Sequence, residues 1–562
     1  MPDLKARPFY LDEGQIRWVE DTLRSMDTNE KIGQLFLVIG LSDNEEDIIK
    51  LYDDTRFGGI MYRPEPMEKL KSKNERLQSH AKIPVLIAAN LESGGSGAIL
   101  EGTDFGSQLQ IGATEEREQA YRLGEISTRE GKAVGVNLAF APVCDIDRNW
   151  RNPITNTRTY GSDPERVLDM CGAYLEGAGK NGVAVSIKHF PGDGCDERDQ
   201  HLVSSVNDLS CEEWDETYGR IYKTLIEEGA QTVMAGHILQ PAYSRYFNPE
   251  IGESEMMPAS CSKELIQGLL RNKLGFNGVV LTDAANMLGY CASMKRSKLI
   301  PHTINAGVDM ILFGRNVKED MKYLSDAVNA GVVSMDRLDE AVTRVLALKA
   351  SLGLHEAESF VNKDYRKIVG AEENLKQAEE CADKAVTLVK DTQGLLPVTP
   401  KRYKRVLLYV CGDKPGFTGG SSCKEWVTDA LTRAGFEVEL YDSEHTTMEE
   451  TTVPIEKVKE KYDVIMYFSN VINASYQTNA RIQWKGNVAQ EGPYYTNEIP
   501  TLMVSLGNPY GFVDAPMIKT IINTYHASSV VVDAVVDKLT GKSEFKGRSP
   551  VDPFGGKFGS GI

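Results

Sequence analysis

As far as Leu352 the chain alternates short apolar, β-branched runs with longer stretches of helical period. The runs read as strands are Ile32–Ile39, Gly58–Tyr62, Val85–Ala89, Leu138–Val143, Val183–Ile187, Gln231–Ala235, Gly278–Leu281 and Asp309–Phe313. Between them lie amphipathic stretches such as Glu115–Ala133, Asp163–Lys180, Cys211–Glu228 and Ser262–Lys273, each long enough for a helix. A parallel strand reaches its neighbour only through such a crossover, and eight βα units in series are the number that closes a barrel. The runs are almost uninterruptedly apolar, as strands covered on both sides must be. Met335–Leu352, with Ser334 placed to cap it, predicts a closing helix.

After this helix comes a charged connector, Gly353–Asn374, then a helical stretch around Leu375–Lys390 and the turn-like GLLPVTP. From Arg405 the alternation restarts with RVLLYV, FEVELY, VIMYFS, TLMVSL and TIINTY, with helices near Glu425–Ala434 and over Ser529–Leu539. This predicts an open parallel sheet covered by helices. The fold class is therefore α/β, a TIM-like (β/α)8 barrel followed by an α/β/α sandwich. The expected divisions are 1–352 for the barrel, 353–403 for a helical linker and 404–562 for the sandwich.

Charge and composition narrow the partners. The net charge of −18 repels nucleic acid phosphates and anionic membranes. The first residues have no apolar core of signal-peptide length, and no apolar run is long enough to span a bilayer. Nine cysteines stand singly, none at C-x-x-C spacing, which fits a reducing, cytoplasmic compartment better than a disulfide framework. No cluster has metal-ligand spacing, so neither metal nor cofactor is expected. The Gly-rich GGSG (94–97) and GFTGG (416–420) match neither a dinucleotide fingerprint nor a phosphate loop.

In a (β/α)8 barrel the reactive groups sit just past the C-terminal ends of strands, where the βα loops converge. Here those positions hold Asn90 and Glu92, Asp145 and Asp147, Lys188 and His189, His237, and Asp283. The richest segment is KHFPGDGCDERDQHL, Lys188 to Leu202, in which Asp199 and His201 stand two apart after a Pro-Gly break. A carboxylate beside an imidazole fixes its tautomer and raises its pKa, giving a proton donor for work near neutral pH. Spacing alone leaves open a charged surface loop in which Asp-x-His arises by chance.

KHFPG followed at this spacing by D-x-H resembles the β-N-acetylhexosaminidase branch of the family 3 glycoside hydrolases. NPITNTRTYGSDP (152–164), VMAGHI (233–238), VVLTDAANM (279–287), SLGNPY (505–510) and SEFKGRSP (543–550) are similar to further stretches of that family. The resemblance implies a retaining exo-glycosidase acting on terminal β-linked N-acetylglucosamine or a related sugar. Asp283 would be the nucleophile, His201 the acid/base and Asp199 its orienting partner. Arg158, Lys188, His189, Asn90, Asp193 and His237 would bind the sugar. A small carbohydrate would be the partner, and the enzyme a monomer or homodimer.

Three alternatives stay open: a glycoside phosphorylase, a β-glucosidase or β-xylosidase on the same scaffold, and a non-catalytic sugar-binding module. Two positions depart from the family pattern. Asn90-Leu91-Glu92-Ser93-Gly94-Gly95 replaces Asp-Gln-Glu-Gly-Gly, and an Asn both accepts and donates without the charge. Asp193 stands where His is common, and loop support, substrate contact and proton donor are its readings, in that order.

Overall fold

The computed structural model describes residues 1–562 except 358, 413–421, 443–444, 448, 450–451, 472–474, 477–480, 487–488 and 557–562. The GFTGG segment lies outside the described residues.

Eight parallel strands close into a barrel. In chain order they are β1 Phe36–Gly40, β2 Gly59–Tyr62, β3 Leu86–Ala89, β4 Leu138–Ala139, β5 Ala184–Phe190, β7 Thr232–Ala235, β9 Val279–Ala284 and β10 Met310–Leu312, while β6 Ser205–Val206 and β8 Ile238–Leu239 form a separate short pair. All eight expected runs carry a barrel strand, with shifted ends. Ile32–Gln34 belongs to the helix Thr28–Gln34, whose N-terminus Asp27 and Glu30 close with a reciprocal capping box. β5 runs on through Lys188 and His189, so both lie on the strand itself. The β4 ladder is only two residues long, and Val143 rejoins the sheet through an isolated bridge to Lys188.

The expected helices form with three changes. The stretch Glu115–Ala133 forms the helix Arg117–Ala133, and Glu115, whose backbone is left-handed, caps a separate short helix before it, Gln108–Thr114. Ser262–Lys273 forms a π-helix over Glu264–Lys273. Cys211–Glu227 is continuous but widens to a π turn over Asp215–Gly219. Met335–Ser351 begins at Ser334, whose hydroxyl accepts the Arg337 N–H. Its apolar stripe (Leu338, Val342, Val345 and Leu346) is buried in one core with β1, β9 and β10.

The second unit is built on a six-stranded sheet in the order β11-β16-β15-β14-β12-β13. Its strands are β11 Thr387–Asp391, β12 Arg405–Cys411, β13 Glu437–Leu440, β14 Val464–Ser469, β15 Thr501–Ser505 and β16 Thr520–Asn523. Apolar cores cover both faces, one around Val427, Leu431, Val532 and Val535, the other around Ile499, Phe512 and Ile518. The division of the chain departs from the one expected. Thr387–Asp391, inside the segment read as a helical linker, is an antiparallel edge strand of this sheet. The chain also enters the second unit twice before Lys376, at Gly106–Glu116 and at Asn149–Asp163. Leu109 and Ala113 from the first excursion pack with Tyr510, Tyr525 and Val551, and Trp150 from the second joins them.

All nine cysteines are free thiols. Among the described residues no helix is long and apolar enough to cross a membrane, and no group of three or more His, Cys, Asp or Glu could hold a metal ion.

At the start of β10 the buried Asp309 gathers three guanidinium groups, from Arg271 at 2.6 Å, Arg337 at 3.0 Å and Arg344 at 3.5 Å, and also accepts the Val280 N–H at 2.9 Å. Removing one partner of a buried ion cluster leaves the others uncompensated. Asp309→Ala is therefore expected to destabilise the barrel unit by about 3–5 kcal/mol, read from hydrogen exchange of the β9 and β10 amides. A loss under about 1 kcal/mol would show that solvent neutralises the three cations.

Candidate active site

The C-terminal ends of β3, β4, β5, β7 and β9 deliver the polar groups of one mouth. Asp283 is the penultimate residue of β9 and largely buried, and its Oδ1 accepts the Ala284 N–H at 2.7 Å. Burial alone would raise its pKa. The charge of the neighbouring imidazoles, His189 foremost, outweighs burial and holds it down at about 2. His189 Nε2 lies 3.9 Å from Asp283 Oδ2.

Asp145, just past β4, orients that imidazole. Its Oδ2 accepts from His189 Nδ1 at 2.7 Å, and its Oδ1 accepts the N–H of His189 at 3.1 Å and of Asp193 at 2.8 Å. With Nδ1 bound to Asp145, His189 turns Nε2 toward the β9 carboxylate. Lys188, next on the same strand, pairs at 2.5 Å with Glu92 from the β3 loop.

His237 follows β7 and is fully enclosed. Its Nε2 donates to the Ala284 carbonyl at 3.1 Å, and its Nδ1 accepts from the Ser260 hydroxyl at 2.8 Å. A carbonyl only accepts, so the proton sits on Nε2, and burial lowers the pKa of the ring, which keeps it neutral. Both nitrogens are thus engaged by protein atoms. His237 braces the backbone beside Asp283, whereas the sequence placed it among the sugar contacts.

The segment after β5 carries the Asp-x-His pair. Gly192 sits at φ 116°, and a Cβ there would lie 2.1 Å from the Tyr218 ring, so KHFPG needs its glycine. Two aromatics of helix 211–227 pin this turn: Trp214 Nε1 donates to the Pro191 carbonyl at 2.8 Å and Tyr218 OH to the Asp193 carbonyl at 2.6 Å. Further on, Asp199 Oδ1 accepts both the backbone N–H of His201 at 2.8 Å and its Nδ1–H at 2.7 Å. His201 keeps part of its side chain accessible while Asp199 is buried.

Asp193 is buried and accepts from Gly194 N–H at 2.8 Å, Ser205 Oγ at 3.1 Å and Gln200 Nε2 at 3.2 Å. Burial, with the neighbouring Asp145 charge, raises its pKa to about 6. Cys195, in the same turn, is driven up to about 12 by burial and is held as an unreactive thiol.

The structure thus groups Asp283, His189, Lys188, His237, Asp193, Asp199 and His201 in the barrel unit. Asn90 follows β3 and is exposed. Arg158 closes the short turn Asn156–Arg158 and belongs to the second unit through the excursion Asn149–Asp163. There Asn156 Nδ2 donates to Asn508 of SLGNPY at 3.0 Å, and the Ser162 N–H to Pro550 of SEFKGRSP at 3.1 Å, so three of the sequence stretches singled out above meet.

Sequence reasoning gave no role to Asp145, Glu92, Gln200 and Ser260. Asp145 and Glu92 were singled out by their position just past barrel strands, but without a task. Gln200 was passed over as the spacer of Asp-x-His, and Ser260 carries no signal in the chain.

Comparison with known proteins agrees with this geometry. The family described as "Glycosyl hydrolase family 3 N terminal domain" matches residues 27–348. A "Beta-N-acetylglucosaminidase/beta-glucosidase" of Cellulomonas fimi is 42% identical over 561 residues, 99% of each chain. Among solved structures, the β-glucoside phosphorylase BglX bound to 2FGlc superposes with a TM-score of 0.94 at 43% identity, covering 99% of both chains. A family 3 β-N-acetylglucosaminidase from Paenibacillus sp. str. FPU-7 superposes with a TM-score of 0.80 at 25% identity, covering 94% of this chain and 99% of that one. The chain, with its barrel, its second sheet and the KHFPG and Asp-x-His segments in place, belongs to glycoside hydrolase family 3.

Proposed function

We propose that this enzyme cleaves terminal β-linked N-acetylglucosamine or glucose from small glycosides by double displacement. The observation that carries the reading is the Asp283 carboxylate at the end of β9, with His189 Nε2 3.9 Å away, in the same unit as His201, whose Nδ1 is hydrogen-bonded to Asp199 at 2.7 Å.

In the first step a carboxylate oxygen of Asp283 attacks the anomeric carbon and the bond to the leaving oxygen breaks. His201 Nε2 gives its proton to that oxygen, because Nδ1 is committed to Asp199. In the second step water attacks the anomeric carbon, the ester bond to Asp283 breaks, and Nε2 takes the proton back. Lys188 and His189 lie on β5 where sugar hydroxyls would be held, and charge-assisted bonds to them fix the near-attack geometry. Asp193, enclosed by three donors, serves the loop.

A second reading has an observation of its own: the 43% identical structure is a β-glucoside phosphorylase. Phosphate would then replace water in the second step. An imidazole left neutral after giving up its proton does not repel that anion as a carboxylate would. The nine free thiols support a reducing, cytoplasmic setting, and the net charge of −18 supports a small sugar as the partner rather than nucleic acid or membrane. We take the enzyme to work as a monomer or homodimer.

Incubation with a 2-deoxy-2-fluoro glycoside bearing an activated leaving group should label Asp283, read by peptide mass spectrometry. Asp283→Ala should lower kcat/KM by about 10⁴-fold or more. A label on another residue would overturn the nucleophile. Product analysis with and without phosphate separates the readings, since free sugar means water and sugar 1-phosphate means phosphate.

The pH profile offers another check. Asp283 is ionised above about pH 2, so its titration does not limit the acid side of kcat/KM. Removing the foremost imidazole raises the carboxyl pKa, so His189→Asn should bring the Asp283 titration into the acid side of kcat/KM as a new limb that the unaltered enzyme lacks. No new limb, with only KM changed, would mean that His189 acts on substrate alone.

A further inference from the structure

Two polar residues of the acid/base segment meet in the structure: Asp193, which stands where His is common after Pro-Gly, and Gln200, the spacer of Asp-x-His. The structure bonds them to each other: Gln200 Nε2 donates to Asp193 Oδ2 at 3.2 Å, with both side chains buried. The other end of the same amide accepts the His237 N–H at 2.8 Å. The amide therefore spans from the turn after β5 to His237, just past β7.

From His237 the chain of contacts continues to the nucleophile. Its ring donates to the Ala284 carbonyl, and the Ala284 N–H donates to Asp283. The backbone on either side of Gln200 is fastened as well. Leu288 N–H donates to the His201 carbonyl at 2.9 Å, Ser205 N–H to the His237 carbonyl at 3.2 Å, and Ser204 Oγ to the Gly289 carbonyl at 3.0 Å. A Cβ at Gly289 would lie 2.4 Å from the Gln200 carbonyl, so the segment is pressed against the loop after β9.

We propose that Gln200 and Asp193 form a positioning pair that sets His201 at its distance from Asp283. This rests on the reading of His201 as acid/base. Asp193 takes the amide's donor end and is itself fixed by Gly194 and Ser205. Gln200 hands its acceptor end to the backbone of the residue that braces the nucleophile strand. Both side chains are buried and bonded to protein groups. Their effect on the reaction runs through the imidazole one residue on. The amide has one donor end and one acceptor end in use, and no other residue type of that length supplies both.

The test compares kcat/KM for a 2,4-dinitrophenyl glycoside, which needs little proton donation, with that for an alkyl glycoside, which needs much. His201→Ala is the reference and should lose the alkyl substrate by about 10²–10⁴-fold while sparing the dinitrophenyl one. Gln200→Ala should show the same selectivity at smaller scale, about 10–10²-fold on the alkyl glycoside and under about threefold on the activated one. It should still form the fluoroglycosyl adduct on Asp283.

Gln200→Glu sets two carboxylates face to face and should behave like Gln200→Ala. Adding Asp193→Asn restores a donor opposite an acceptor, so Asp193→Asn with Gln200→Glu should recover most of the alkyl activity. Equal loss on both substrates, or no recovery in the double variant while His201→Ala remains selective, overturns the pair. If His201→Ala itself shows no selectivity, the acid/base reading falls and the pair falls with it.

Discussion

A carboxylate removed from water has to have its lone pairs taken by donors, and the mouth of this barrel is arranged around one that does. Asp145 accepts from the backbone and the ring of His189 and from the backbone of Asp193. Each of those donors is buried, and each left unpaired would cost about 1–3 kcal/mol. One side chain therefore fixes the rotamer of the imidazole nearest Asp283 and the start of the segment that carries Asp199 and His201. The ionised state of Asp283 follows from that arrangement, since burial taken alone pushes its carboxyl the other way.

Around this point the site is built from neutral braces as much as from charges. His237 is tied at both ring nitrogens and behaves as a rigid link between Ser260 and the backbone beside the nucleophile. Trp214 and Tyr218 hold the Pro-Gly turn from the helix outside the barrel. Precise placement of a proton donor depends on packing of this kind, since a misplacement of about 1 Å can cost about 10²-fold in rate.

The barrel was legible because its physics is local. Strands covered on both sides leave uninterrupted apolar runs, and the groups past their ends fall where convergent loops put them. For that reason Asp283, His189 and the Asp199–His201 pair could be named from the chain. His237 was named for its position but not for its task, because Ser260 and Ala284 come near it only through folding. Gln200 gave no periodic signal, being one polar residue in a charged loop. Thr387–Asp391 was read into a helix because its neighbours share helical period, and only the sheet edge beside β16 makes it a strand. The excursions Gly106–Glu116 and Asn149–Asp163 were invisible for the same reason, since their partners lie hundreds of residues away.

Those excursions bear on how the polypeptide matures. Leu109, Ala113 and Trp150 leave the ribosome long before Tyr510, Tyr525 and Val551, with which they share a core. Until those later residues have been made they have no destination, so they present greasy surface on a nascent chain, the kind of stretch that chaperones shield. A gene cut at Leu375 would make that condition permanent, and the barrel cannot be harvested as a clean, self-contained module.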